Sequence, residues 1–309
     1  MGKLEIKPFV KWVGGKGRLL PQLDDLLPKD FAERRKVRYI EPFVGGGAML
    51  FHVLKNYSNV ESVVINDINP ELMTCYSVVR DRPEELIALL NSIQGEYFDF
   101  DGEEERKVFY LQKRKLFNSG NVGEVEKTAL FLFLNRTCFN GLYRVNKSGL
   151  FNVPFGKYAN PTICDEALIM ADSEALQVVE IMTGDFEQTF ERAVGDTFFY
   201  LDPPYRPVSA TSCFEDYTKQ GFGDDEQIRL KKFCDKIQNS GYDFMLSNSD
   251  GLYSGNGDCF FDDLYRDYQI DRVMAHRNVS AIASKRGKIS EILVHNYLCS
   301  ASDAVSKAI

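Results

Sequence analysis

The sequence has no apolar run near the roughly 20 residues that cross a bilayer. The longest, Thr128 to Leu134, is short and lies within a helical pattern. Met1 to Phe9 carries Lys3, Glu5 and Lys7 and no apolar core, so it does not read as a secretory signal. The seven cysteines (Cys75, Cys138, Cys164, Cys213, Cys234, Cys259 and Cys299) form no C-x-x-C pair. Scattered and odd in number, they read as reduced packing thiols of a cytoplasmic protein. Only three histidines occur, His52, His276 and His295. None reads as near a cysteine or another histidine, and no metal site is expected. Repeats and low-complexity segments are also missing, which leaves 309 residues for one large α/β domain or a domain with a substantial insertion.

An excess of positive charge is lacking overall: the formal net charge is −8. That sum argues against a nucleic-acid partner, because binding DNA needs Lys and Arg facing phosphates. The distribution argues the other way. From Lys127 to Cys164 there is no acid, while Lys127, Arg136, Arg144, Lys147 and Lys157 give +5. From Arg272 to Ser290 there is again no acid, and Arg272, Arg277, Lys285, Arg286 and Lys288 give +5. Two such windows can build a local positive surface on an acidic protein, although chance bias in solvated stretches would look the same.

What is present begins with a strand, a glycine turn, a helix and a second strand. Val37 to Glu41 is a short β-rich run ending at Pro42, Phe43 to Gly47 is a Gly-rich turn, and Ala48 to Lys55 continues as a helix. Val60 to Asn66 is a second β-branched run ending at Asp67. This is the opening unit of a doubly wound nucleotide-binding sheet. Residues 80–165 then read as a mostly helical insertion: a helix over Asp81 to Gln94 with Asp81 as its N-cap, others over Glu103 to Asn118 and Glu124 to Asn135, and an irregular Phe139 to Asn160. Strand patterns return at Leu176 to Met182, Thr197 to Leu201 and Tyr242 to Ser247, with a helix over Asp224 to Ser240. Asp267 to Met274 and Glu291 to Leu298 fit a final antiparallel pair, and 299–309 a fraying tail.

Three segments carry chemistry. Asp202-Pro203-Pro204-Tyr205 directly follows the strand ending at Leu201, where ligands of open α/β sheets bind. Two prolines fix the turn and supply no N–H. A carboxylate and free carbonyls held rigidly there suit an exocyclic amino group, and Tyr205 offers a face on which a base can stack. Glu41 to Gly47 lets the backbone approach a ligand closely, and Asp67 after the next strand suits ribose hydroxyls. The spacing is not G-x-G-x-x-G, which favours a phosphate-free adenosine compound over a dinucleotide. Lys11 to Arg18 holds the single tryptophan, Trp12, and a lysine at a glycine turn, Lys16. It fails the P-loop spacing, which counts against a nucleotide kinase, and suits a lysine meeting a carboxylate such as that of a methionine moiety. Each segment alone also fits an ordinary turn.

Taken in order, KWVGGK (Lys11 to Lys16), EPFVGGG (Glu41 to Gly47), NDIN (Asn66 to Asn69), LNRTCFNGLYRVN (Leu134 to Asn146), FNVPFGKY (Phe151 to Tyr158), GDF (Gly184 to Phe186), LDPPY (Leu201 to Tyr205) and RGKISE (Arg286 to Glu291) resemble the Dam family of adenine-N6 DNA methyltransferases. That family includes modification enzymes of restriction systems. The resemblance spans about residues 8 to 298. It implies a Rossmann-like, doubly wound methyltransferase sheet over 1–79 and 166–309, using S-adenosyl-L-methionine, with 80–165 as an inserted target-recognition domain for double-stranded DNA. Trp12, Lys16, Asp67 and the Phe43, Gly45, Gly47 turn would contact the cofactor. Asp185 and Phe186 would flank its adenine, and Asp202 would adjoin it. Asp202, Pro203, Pro204 and Tyr205 would hold the target adenine. Lys11, Arg136, Phe139, Asn140, Leu142, Arg144, Pro154 and Lys157 would meet DNA, with GATC the sequence read. Phe139 departs from the tyrosine of some relatives, and Lys157 stands where arginine also occurs, which loses bidentate phosphate geometry.

The chemistry implied is direct transfer to a flipped-out base, with no cysteine nucleophile and no metal. Cytosine N4, adenine in RNA or a protein amide present a similar planar amino group. The insertion pattern favours DNA adenine. An idle DNA-binding module would not need intact Asp67, Asp202 and Tyr205. Whether a cognate restriction endonuclease shares the site stays open.

Overall fold

Alternating β-branched and aromatic residues set the strands. Val37–Glu41 (β1), Val60–Asp67 (β2), Val179–Thr183 (β3), Asp196–Leu201 (β4), Asp243–Ser249 (β5), Gln269–His276 (β6) and Lys288–His295 (β7) form one sheet in the order β3-β2-β1-β4-β5-β7-β6. The computed structural model describes residues 5–206, 222–252, 257–276 and 288–299. The first five strands are parallel, and β7 runs antiparallel to both β5 and β6. Burial alternates with the pleat. Tyr39, Val63, Ile65, Phe198, Tyr200, Met245 and Leu293 feed the apolar cluster on one face. Ile40, Val64, Phe199, Leu201, Phe244, Leu246, Ile292 and Val294 feed a second cluster on the other. This is the doubly wound α/β sheet that the sequence implies.

The helices are Leu20–Asp25 (α1), Ala48–Asn56 (α2), Pro70–Asp81 (α3), Pro83–Phe98 (α4), Glu103–Ser119 (α5), Glu124–Thr137 (α6), Glu166–Ala175 (α7), Asp224–Asn239 (α8) and Phe260–Leu264 (α9). Helix α6 is apolar nearly all round, with Thr128 to Leu134 buried without a break; such a helix belongs inside a bundle. Residues of α3, α4, α6 and α7 share one cluster with the sheet face. The core of the inserted helices is therefore continuous with the core under the sheet.

Three expectations need correcting. Asp81 is not an N-cap: it closes α3, and α4 begins at Pro83 after Arg82 leaves the helical region at φ −137°, because a residue before proline is driven from αR. Helix α3 itself was not foreseen, although Asn69 caps it by accepting the Leu72 N–H and Pro70 occupies its first turn. The stretch from Leu176 opens with a 3-10 turn, Leu176–Val178, and becomes a strand only at Val179. Residues 207–221, Arg277, Lys285, Arg286 and 300–309 lie outside the described residues, as does Cys213. They include most of the RGKISE motif's basic half and the expected tail. No helix among the described residues is long and apolar enough to cross a membrane.

Candidate active site

The chain leaves β1 toward β2 and β3 on one side and later toward β4 and β5 on the other, so the strand order reverses between β1 and β4. Ligands of such sheets bind outside the carboxyl ends of the strands at this point. The residues after β1, β2 and β4 are the glycine turn, Asp67 to Asn69 and Asp202 to Tyr205.

The turn needs its glycines. Gly45 has φ 48° and Gly47 φ 74°, the left-handed region that side chains resist. A Cβ on Gly45 would lie 2.8 Å from Trp12 Cδ1. Trp12 thus lies directly on the turn, and its ring also stacks on Tyr143, ring centroids 5.5 Å apart. The Tyr76 hydroxyl donates to the Gly45 carbonyl at 3.0 Å. Asp67 Oδ2 accepts the Gly45 N–H at 3.1 Å, and Oδ1 accepts the Asn69 N–H at 2.9 Å. Burial pushes the Asp67 carboxyl up, and those N–H donors oppose the rise. The neighbouring Asn66 is buried and donates to the carbonyls of Pro42 and Gly184, tying the turns after β1 and β3 together. Beside them Phe43 packs on Phe186 at 5.2 Å. Phe186 is buried under the Arg229 guanidinium, which also pairs with Asp185 at 2.5 Å.

Asp202 stands 20% exposed at the end of β4, and the Lys16 ammonium, 5% exposed, lies 2.8 Å from its Oδ1. Lys16 also donates to the Gly14 carbonyl at 3.0 Å and sits 4.5 Å from the centre of the Tyr205 ring. Its nearer carboxylate partner within the fold is Asp202, with Glu291 Oε2 3.9 Å away. Burial raises the Asp202 carboxyl to about 6, with Lys16 opposing and the Glu291 charge adding to the rise. Pro204 is exposed, and its carbonyl accepts the Gln227 Nε2–H at 3.3 Å. This corrects the expectation that both proline carbonyls are free. The Tyr205 hydroxyl donates to Glu291 Oε2 at 2.6 Å and meets Ser247 Oγ at 2.7 Å. Glu291 comes from β7 and Ser247 from β5.

A second group of predicted residues gathers around the N-terminal segment. Asn135 is buried at the end of α6 and accepts the Lys11 N–H at 2.8 Å. Its amide donates to the carbonyls of Lys11 and Gly141 at 2.9 and 3.0 Å. Gly141 has φ 62°, and a Cβ there would lie 2.4 Å from Lys11 Cδ. Lys11, Arg136, Tyr158, Asn160, Pro161 and Thr162 line an open hollow of 250 Å³. The Lys11 ammonium lies 5.1 Å from the Tyr158 ring centre, and burial, then the Arg136 charge, pushes its pKa down. Arg136 is tied to the Phe9 carbonyl at 2.7 Å. Phe139, 51% exposed, Asn140 and Pro154 sit on the adjoining loop, where the Pro154 carbonyl accepts the Phe139 N–H and Tyr158 accepts the Asn140 N–H. Leu142 is partly buried, and Arg144 bonds Asn152 Oδ1 at 2.8 Å.

The basic windows are less bare than their sequence suggests. Lys157 pairs with Glu103 at 2.6 Å and Lys127 with Glu71 at 3.2 Å. Arg272 pairs with Asp250 and Asp262. All four acids come from outside the windows. A further correction concerns the histidines. His295 lies four residues from Cys299, and with Asp271 their ligand atoms come within 4.8 Å of one another. Both ring nitrogens already face protein oxygens, Asp271 Oδ2 at 2.7 Å and the Tyr297 carbonyl at 2.9 Å.

The sequence model of the D12 class N6 adenine-specific DNA methyltransferases matches residues 12–279. The chain belongs to this family. It is 47% identical over 297 residues to the type II methyltransferase M.MjaIII of Methanocaldococcus jannaschii, covering 95% of this chain and 100% of the relative. It is 40% identical to the type II methyltransferase M1.LlaDCHI of Lactococcus lactis subsp. cremoris, covering 96% and 97%. It is 34% identical to a DNA adenine methylase of Vibrio cholerae, covering 93% and 95%. An adenine-specific DNA methyltransferase fits the two clusters just described, one at the sheet's switch point and one at the insertion. Asn135, Tyr158, Ser247 and Glu291 were not singled out from sequence. Asn135 had a signal: a lone amide in an apolar helix. Glu291 ends the RGKISE segment but was given no role and Ser247 had no signal, because only the pairing of β5 with β7 brings them to Tyr205.

Proposed function

We propose that this D12-class enzyme transfers a methyl group from S-adenosyl-L-methionine to N6 of an adenine flipped out of duplex DNA, within GATC. The observation that carries the reading is the juxtaposition at the switch point: a rigid Asp202-Pro203-Pro204-Tyr205 turn beside a glycine turn roofed by Trp12.

The residues fit the methyl donor. The Gly45 to Gly47 turn leaves no room for a side chain against Trp12, Phe43 and Phe186 give an aromatic pair for a purine, and Asp67 and Asp185 supply acceptors for hydroxyl or amino groups. Lys16 would hold a carboxylate. When bound, S-adenosyl-L-methionine supplies an activated methyl group: an N6–C bond forms as an S–C bond breaks, and N6 sheds a proton. The protein's task is positioning. The Asp202 carboxylate and the Pro203 carbonyl accept the two N6–H bonds, which aims the nitrogen lone pair outward. Asp202 takes the departing proton and passes it to solvent. The Tyr205 face stacks on the base and offsets part of the unstacking cost, a few kcal/mol.

The insertion, 80–165, serves as the recognition domain on the catalytic unit of 1–79 and 166–309. Lys11 and Arg136 face bases and phosphates across the hollow, while Phe139 is exposed enough to wedge into a base step. A restriction endonuclease acting on the same sequence fits the type II naming of two relatives. The test is Asp202→Asn, which keeps the shape and removes the charge. Single-turnover transfer should fall by about a hundredfold or more with donor binding retained. Turnover within about twofold of the parent enzyme would remove Asp202 from the reaction.

A further inference from the structure

We propose that Glu291 is a positioning residue for methyl transfer: its carboxylate fixes the plane of the Tyr205 ring and hence the plane in which the target base stacks. The inference rests on the assignment of Tyr205 to that base.

A tyrosine at the end of a turn pivots about two side-chain bonds. Its hydroxyl oxygen lies on the axis about which the ring spins, so one holder fixes the direction of the ring; because a phenolic hydroxyl donates and accepts near the ring plane, two holders also set that plane. Here it is held twice. Glu291 Oε2 accepts its proton at 2.6 Å, and Ser247 Oγ lies 2.7 Å away. The two holders sit on neighbouring strands: Glu291 stands opposite Ser249 in the β5–β7 ladder, and Ser247 lies one pleat further along the same face. Ser247 is fully buried and Glu291 is 15% exposed, so neither is free to follow solvent. Charge-assisted hydrogen bonds of this length are the strong ones. The Lys16 ammonium, 3.9 Å from Glu291 Oε2 and 2.8 Å from Asp202 Oδ1, lies over the same ring. The acceptor carboxylate and the anchoring carboxylate thus share one cation. Glu291 touches neither base nor donor in this account; it acts through Tyr205.

The test is a double-mutant cycle on the full chain with a GATC duplex and saturating donor. Glu291→Ala should slow single-turnover transfer by about tenfold and Tyr205→Phe, which also loses the Ser247 bond, by at least as much; the double variant should be no slower than Tyr205→Phe alone, because both changes remove the Tyr205–Glu291 bond. Donor affinity and the KM for DNA should stay within about twofold. Glu291→Gln keeps an oxygen acceptor at the same reach and should stay within about threefold of the parent. Singles that multiply in the double variant, Gln as slow as Ala, or an Ala variant at parent speed would each overturn the inference. Should Glu291→Ala lose donor binding and its melting transition, Glu291→Asp takes its place: the charge stays, the reach is lost, and the same non-additivity is required. Tyr205→Ala separates the two levels. A slow Tyr205→Ala beside a normal Glu291→Ala defeats only the inference, whereas a normal Tyr205→Ala defeats the assignment of Tyr205 to the base.

Discussion

Lys16 Nζ lies 2.8 Å from Asp202 Oδ1. A cation there favours the carboxylate, while burial raises the group to about 6. On this reading only the ionised Asp202 can take the proton that N6 sheds. Transfer should therefore be full above that value and fall as the pH drops through about 6. Lys16→Met removes the opposing cation, so the acid limb should move to higher pH. Single-turnover rates from about pH 5 to about pH 9 check this, and an unmoved limb in Lys16→Met would separate Asp202 from the titration.

Trp12 is the only tryptophan in the chain and lies against Gly45 and Tyr143. Tryptophan fluorescence, excited selectively, therefore reports on the contact of Trp12 with the glycine turn and Tyr143. Adding S-adenosyl-L-methionine should change it saturably. Gly45→Ala forces a Cβ to 2.8 Å from Trp12 at φ 48° and should weaken donor binding about tenfold or more. Equal titration curves for the two proteins would remove the turn from the binding site.

Much of the fold was legible because it rests on local signals. The run Val37 to Glu41, the glycine turn and the run to Asp67 marked β1, its turn and β2, and the acid-proline turn after Leu201 marked the end of β4. The amphipathic helices α5 and α8 were readable from periodicity to within about two residues. What escaped was long-range or masked by proline. Helix α3 lay behind Asn69-Pro70, and Arg82 before Pro83 split what looked like one start. The partners of Tyr205 come from β5 and β7, which meet it only through sheet order. The acids that pair with Lys127 and Lys157 lie 56 and 54 positions away in sequence, so a window of charge could not show them.

Asn135 holds Lys11 by two backbone bonds, and Gly141 leaves room for the Lys11 stem. On the proposed reading, a lysine whose backbone is held this way meets a base edge rather than sampling phosphates. Lys11→Ala should lower the preference for GATC over a duplex changed at one position by about 1–3 kcal/mol. Its salt dependence should alter by no more than about one counterion. Competition assays on paired duplexes measure both. A uniform loss on every sequence would make Lys11 a phosphate contact.

Asp172 in α7 is fully buried, accepts the Lys7 N–H at 3.2 Å through Oδ1, and has no partner for Oδ2. Burial lifts its carboxyl to about 8. The native state thus binds this proton more tightly than the unfolded chain. The stability it contributes is full below the ordinary range near about 4 and is lost as pH rises through about 8. The melting temperature should fall by several degrees on going from about pH 6 to about pH 9, and Asp172→Asn should blunt that fall. Parallel curves for the two proteins would contradict it.

The central claim is tested most directly by transfer of a labelled methyl group from S-adenosyl-L-methionine to two DNA duplexes, one with GATC and one with it scrambled. Nucleoside analysis of the products should show N6-methyladenine from the GATC duplex alone. Label in both duplexes, or in neither, would contradict the account.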